Sequence, residues 1–223
     1  MITPHDGFPE IRLRQENGRA LATRLWRLDE PMLALSSAPL GGGLGLRHWV
    51  LNAQVPTDYD CDKPQAHLGR LATEAGLDGA GTAMMTAVDV RTASTVTQEG
   101  IFVDATVGVN APQWAAAAAL EDVPPDRSAP PAVGTINIVM AVPERLSDAA
   151  LVNAIGTATE AKAQALWEAG LAGTGTVTDA LCVLCPAHGE AHAYGGPRSA
   201  WGSRLARAVH KAVLAGCPGV GAA

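Results

Sequence analysis

Asn153, Thr157 and Glu160 recur at spacings of four and three residues within LSDAALVNAIGTATEAKAQALWEAGL (146–171). At about 100° per residue on a helix they fall within roughly 60° of one another, a polar stripe opposed by Leu151, Ile155, Ala158, Leu166 and Ala169. A helix this rich in alanine is expected to be buried over much of its surface. Burial raises a carboxyl pKa toward the range a general acid or base needs, which makes Glu160 a catalytic candidate. The bland alternative is an ordinary solvated face. Lys162 stands inside the apolar stripe. Such a lysine snorkels or meets a carboxylate; otherwise it lines a pocket, where a substrate amide or Asp179 becomes its partner.

Two further stretches carry polar groups at strand spacing. GTIN (134–137) opens a strand in which Thr135 and Asn137 project to one face, and the Asn137 amide is able to donate to a developing oxyanion. TGTVTD (174–179) places Thr174, Thr176, Thr178 and Asp179 at a loop-to-strand junction; ligand contact by Thr176 and plain strand propensity explain it equally well. Ser36 and Ser37 end a strand, and Ser37 is a nucleophile candidate, although turn chemistry alone accounts for both. Gly41, Gly42, Gly43 and Gly45 follow. A phosphate loop would need a Lys-Ser/Thr pair and a helix after the glycines, and neither is present. A dinucleotide fingerprint would need a third glycine where Leu46 stands. The glycines leave bare backbone for a bulky ligand, or they simply turn the chain.

Cys182, Cys185, His188 and His192 suggest zinc, yet residues three apart in a strand face opposite ways and no second CxxC exists. No metal site is expected. There is no GxSxG elbow and no HExxH.

These residues need a scaffold. EIRLRQENGRALATRLWR (10–27) alternates apolar and polar residues around Asn17-Gly18, a hairpin signal, and residues 1–29 form an amino-terminal hairpin segment. PMLALSS (31–37) and LGLRHWVLNAQV (44–55) read as partner strands. Residues 56–76 open as a loop and close with a short helix carrying His67, Leu68, Leu71 and Ala72. Strands follow over 80–90 and 100–109, separated by the polar run RTASTVTQE, and again over 134–142 and 174–186. The proline-rich stretch 121–133 is an exposed loop. Ser147 or Asp148 caps the helix over 146–171 and Gly170 ends it; a last helix spans 199–216. The pattern predicts an α+β chain: a single layered domain over 1–223, with a mixed, largely antiparallel sheet and helices packed on it.

Composition narrows the partners. The 223 residues are 48% hydrophobic and 17% charged, with a net charge of -6. That composition supports a packed core and gives no electrostatic reason to bind nucleic acid. No apolar run is long enough to cross a bilayer, and the amino terminus lacks the pattern of a signal peptide, so a cytoplasmic location and no membrane partner are expected. Four scattered cysteines read as reduced thiols.

SSAPLGGGLGLRHWVLNAQVPTDYD, GTINIVMAVPERLSDAALVNAIGTATEAKAQAL and GTGTVTDALCVLC, in that order, resemble the adenosylcobinamide amidohydrolases. The resemblance runs from about residue 30 to residue 213. It implies hydrolysis of the amide that joins aminopropanol to the corrin ring, giving adenosylcobyric acid and 1-amino-2-propanol in corrinoid salvage. It further implies that the corrinoid is the substrate and small-molecule partner, with no separate cofactor, while a homodimer stays open. On that reading Gly41, Gly42, Gly43, Arg47 and Asn52 hold the corrinoid, with Thr135, Asn153, Thr157, Lys162, Thr176 and Asp179 as further contacts. Glu160 handles protons, Asn137 polarises the carbonyl, and Ser37 or a water attacks. Thr135 after Gly134 also allows the self-cleaving amidase arrangement, in which a new amino-terminal threonine is the nucleophile. A non-catalytic corrinoid-binding protein is the competing reading.

Overall fold

The computed structural model describes residues 9–118 and 134–219. The proline-rich stretch 121–133 lies outside the described residues. β1 (Glu10–Glu16) and β2 (Arg19–Ser36) form the expected hairpin. Its turn uses Asn17 at φ 50° and Gly18 at φ 76°, the doubly left-handed geometry that suits the twist of paired strands. The two strands expected at 19–27 and 31–37 are one. β2 runs 18 residues, and its pairing with β3 (Gly43–Gln54) shifts register between Arg27 and Met32. Pro31, which has no N–H to donate, sits within that irregularity.

The remaining elements are α1 (Pro64–Glu74), β4 (Gly81–Thr86), β5 (Ser94–Gln98), β6 (Ile101–Val107), β7 (Ile136–Ala141), α2 (Asp148–Glu168), β8 (Ala180–Pro186) and α3 (Ala200–Gly216). Strand order is β4-β3-β2-β8-β7-β6-β5, with β1 added on β2. The β3–β4 and β7–β8 pairs are parallel and the other five are antiparallel, so the sheet is mixed and largely antiparallel as predicted. Two expectations need correction. The run read as a polar separator contains β5, which hairpins onto β6 through Glu99 and Gly100 at φ 51° and 81°. The strand expected from Thr174 begins at Ala180, because Asp179 holds 174–179 as a turn.

The early strands fold back over the late ones. Trp26 of β2, Val50 of β3 and Met84 of β4 pack against Phe102, Val139, Cys182 and Leu184 of β6, β7 and β8. The large apolar side chains of this inner layer are buried, and each contributes about 1.5–3 kcal/mol by leaving water. On one outer face α2 and α3 cover β5–β8, using alanines (Ala150, Ala154, Ala158, Ala165 and, on α3, Ala208 and Ala212) that let the layers approach closely. On the other outer face α1 sets Leu68 and Leu71 against Leu25, Trp49 and Leu51. Ser147 and Ser199 cap α2 and α3 by accepting from Ala150 N and Gly202 N.

Polar pairs tie the folded-back halves together across the inner layer. Arg24 on β2 donates through Nε to both oxygens of Asp104 on β6, at 3.0 and 3.1 Å, and through Nη2 to Oδ2 at 2.5 Å. Thr95 adds a hydroxyl donor to the same carboxylate at 2.8 Å. Asn52 on β3 donates to Thr106 Oγ1 on β6 at 3.0 Å. The carboxylate of Asp104 is fully enclosed and Arg24 nearly so.

Truncating one partner would strand a buried charge. Asp104→Ala is expected to cost about 3–5 kcal/mol in urea unfolding, and combining it with Arg24→Met should recover most of that loss. Losses that simply add in the double variant would show that the pair does not join the two halves.

Candidate active site

β7 and β8 are parallel neighbours, and the segments leading into them meet at one end of the sheet. Asp179, one residue before β8, organises the junction. Its Oδ1 accepts from Ile136 N at 2.9 Å and from Thr176 Oγ1 at 2.5 Å, and its Oδ2 accepts from Thr176 N at 3.1 Å. The Lys162 ammonium of α2 closes an ion pair on Oδ2. Both side chains of the pair are over nine-tenths buried. Lys162 meets a carboxylate, and that carboxylate is Asp179, the partner expected of it as a pocket-lining residue. Thr135, just before β7, shares a 2.7 Å hydroxyl contact with Thr178. Three sequence-selected residues, Lys162, Thr176 and Asp179, are thus in direct contact, and Thr135 joins them through the same loop.

A cleft of about 520 Å³ opens beside this junction, lined by Glu160, Lys162, Thr176, Asp179, Trp114 and Val177, among others. Glu160 is exposed at the surface of α2, so the burial expected of it does not hold. The far wall is residues 113–115, strapped to the 174–175 backbone. Gln113 N donates to Gly175 O and Thr174 N to Gln113 O, both at 2.8 Å, and Ala115 N donates to Thr174 Oγ1 at 3.0 Å. Gly173 must be glycine for that approach, since a Cβ there would lie 2.7 Å from Gln113 N. A smaller hollow of about 280 Å³ lies across Gly134 and Thr135, with Asn110, Val88 and Thr57 on its other sides.

The other candidates lie elsewhere. Asn137 is buried in the inner layer, and both of its amide hydrogens are used, toward Asn52 Oδ1 at 2.9 Å and Met85 O at 3.0 Å. It has no N–H left for an oxyanion in this arrangement. Asn52 is equally enclosed. Arg47 is buried and donates to Gly41 O, from Nε at 3.1 Å and Nη2 at 2.9 Å, and to Thr82 Oγ1 at 3.1 Å. The glycine run packs on protein backbone. A Cβ on Gly41 would sit 1.9 Å from Gly81 O, and one on Gly42 would sit 2.6 Å from Ala38 O, whereas Gly43 at φ 83° faces open space. Leu40 exchanges backbone hydrogen bonds with Ala83, so the run lies along β4. Ser37 is exposed and its Oγ accepts from Leu181 N at 3.1 Å. On α2 the polar stripe divides: Asn153 bonds its own helix at Ala149 O, and Thr157 is buried against Gly195 O, both at 3.0 Å.

Cys182 and Cys185 enter different cores on opposite faces of β8. Among the described residues no group of three or more His, Cys, Asp or Glu is placed to hold a metal ion. No helix among them is long and apolar enough to cross a membrane.

Sequence reasoning missed two features. All five tryptophans read from sequence as core residues rather than corrin platforms, whereas Trp114 sits in an irregular strap and is half exposed. The second is a larger hollow, about 690 Å³, between the β1–β2 turn, residues 56–61 and α1. There the Tyr59 hydroxyl meets His67 Nδ1 at 2.8 Å, and His67 Nε2 lies 2.9 Å from Glu16 Oε1, close but poorly aligned for a hydrogen bond. Glu16 comes from β1, so no local pattern joins it to His67.

The family model described as adenosylcobinamide amidohydrolase matches residues 9–219. The chain belongs to the adenosylcobinamide amidohydrolase family. An adenosylcobinamide amidohydrolase of Methanosarcina mazei is 31% identical over 190 residues, covering 81% of this chain and 88% of that protein. One of Halobacterium salinarum is 40% identical over 94 residues, covering 42% of this chain and 39% of that protein. The resemblance carried by GTIN, TGTVTD and the α2 segment therefore rests on a match along nearly the whole chain, and the adenosylcobinamide amidohydrolase family is one of hydrolases.

Two outcomes follow from the packing. Lys162→Met leaves the Asp179 carboxylate buried without its cation and is expected to lower stability by about 3–5 kcal/mol in urea unfolding; an unchanged midpoint would mean the pair is dispensable. Burial pushes the Cys182 thiol up to about 12 and raises Cys185 and Cys217 as well, while Cys61 is exposed. A thiol reagent at neutral pH should label Cys61 in the native protein and the other three after unfolding. Native labelling of more than one cysteine would contradict the burial.

Proposed function

We propose that the protein hydrolyses adenosylcobinamide at its aminopropanol amide, giving adenosylcobyric acid and 1-amino-2-propanol in the salvage of corrinoids. The observation that carries the reading is family membership over 9–219. The cleft between α2 and the 174–179 loop supports it, because its lining joins an exposed carboxylate to a polar, rigidly bonded loop. The corrinoid is the substrate, no other cofactor enters, and the reaction is placed in the cytoplasm.

In this reading Glu160 takes a proton from a water as the water adds to the amide carbonyl, then returns that proton to the nitrogen as the C–N bond breaks. The carboxylate product and the free amine account for every atom. Water is preferred to Ser37 as the attacking group, because among the described residues no side chain accepts a hydrogen bond from the Ser37 hydroxyl. Asp179 and Lys162 set the loop: four of the contacts that shape the cleft end on one carboxylate, so Thr176 is fixed before substrate arrives. The stabilising donors for the oxyanion come from the remaining backbone amides of this loop, since Asn137 and Thr176 already donate elsewhere. Asn137 and Asn52 act at one remove, holding β3, β4 and β7 in register beneath the junction.

Incubation with adenosylcobinamide should release aminopropanol, detected by mass spectrometry. Glu160→Gln is expected to lower kcat by about a hundredfold or more while KM changes little. Full turnover by that variant would remove Glu160 from the chemistry. Retention of corrinoid without any released amine would favour the binding-protein reading instead.

A further inference from the structure

Trp114 is 47% exposed and Val177 is 62% exposed, although both line the cleft that holds Glu160. Large apolar groups turned to solvent inside a concavity are a mark of ligand contact, because burying them in the free protein would stabilise it. Their backbones are far from loose. Four hydrogen bonds strap 113–115 to 174–175, and Gln113 pairs with Gly175 as an isolated antiparallel bridge. The fold thus fixes the main chain on both sides of Trp114 while leaving about half of its surface open to solvent. The α2 side of the cleft presents Thr159 and Ala163, small residues one turn apart, so the opposite wall is shallow.

We propose that Trp114, with Val177 beside it, is the apolar wall against which the flat corrin face lies, placing the scissile amide arm toward Glu160. This assignment rests on the proposed substrate. The chemistry suits it: a broad macrocycle with apolar faces and an amide-bearing rim needs one rigid aromatic surface and a polar floor. The rim of exposed Glu160 and half-buried Thr174 and Thr176 meets amides, and the indole meets the ring. Trp167 provides the contrast. It is 71% exposed, near the end of α2, and does not line this cleft. The wall acts on binding and registration of the substrate rather than on proton transfer, so its loss should appear in KM.

The full-length protein is assayed with adenosylcobinamide, following released aminopropanol and the quenching of tryptophan fluorescence on mixing. Trp114→Ala should raise KM about tenfold or more with kcat within about threefold, and should remove most of the quenching. Trp114→Phe should restore much of the affinity, Val177→Ala should raise KM by a smaller factor, and Trp167→Ala should leave both constants unchanged. Cleavage by the wild-type protein with KM unaltered in Trp114→Ala would overturn the wall and leave the function standing. A rise in KM of the same size in Trp167→Ala would overturn it too. A wild-type protein that neither binds nor cleaves the corrinoid would remove the substrate and the wall together.

Discussion

One bent strand, held to the far half of the sheet by a buried ion pair, is the constraint on which the molecule depends. β2 pairs with β1 and β3 before its irregularity and with β3 and β8 after it, so it belongs to both halves of the sheet. A strand that changes partners in this way must turn the first half over the second. Arg24 and Asp104 fix how far. Their contact removes two charges from water, which is tolerable because the guanidinium meets the carboxylate with two nitrogens and Thr95 supplies another donor. The neighbouring Asn52–Thr106 and Asn52–Asn137 bonds repeat the arrangement with neutral groups. Polar pairs of this kind demand one registration between layers, where apolar contacts would accept several.

The sheet end that carries the cleft inherits that rigidity. β7 begins between the folded-back β4 and the parallel β8, and Asn137 spends both hydrogens there. The loop before β8 is then bound to the start of β7 by Asp179. Lys162 brings α2 to the same carboxylate, so a helix, a strand and a loop share one anchoring group. The arrangement separates two tasks that the sequence pattern had merged. Buried Lys162 and Asp179 hold the geometry, while Glu160, two residues from Lys162, stays open to solvent. Hydrolysis suits this division, because water must reach the reacting carbon.

Much of the fold could be read from the chain. Asn17-Gly18 between alternating runs, Ser147 before the alanine-rich helix and the β-branched, apolar run of 134–142 each have a local cause that tertiary packing did not override. β5 was obscured because its residues are polar and belong to an edge strand, where composition differs little from a loop. The continuity of β2 was hidden by Pro31, which usually marks a break and here marks a bend. Within the site, the residue types in GTIN and TGTVTD announced the junction, yet not which of them face inward. Asn52, Asn137 and Arg47 look from sequence like ligand groups on a sheet's polar side. In the folded chain that side is the inner layer, because the sheet covers itself, and their hydrogen bonds go to the protein. A single strand's alternation cannot reveal a second layer made of the same sheet.

The four glycines after Ser37 have one more effect. Leu40 occupies the outer rim of β4, and Gly41 lets the chain lie flat enough on Gly81 to keep it there. That rim would otherwise offer unpaired amides and carbonyls to any passing extended peptide. With it hemmed, the molecule resists growing sideways into ribbons from this margin, and strand-by-strand self-association would have to begin at β1 or β5.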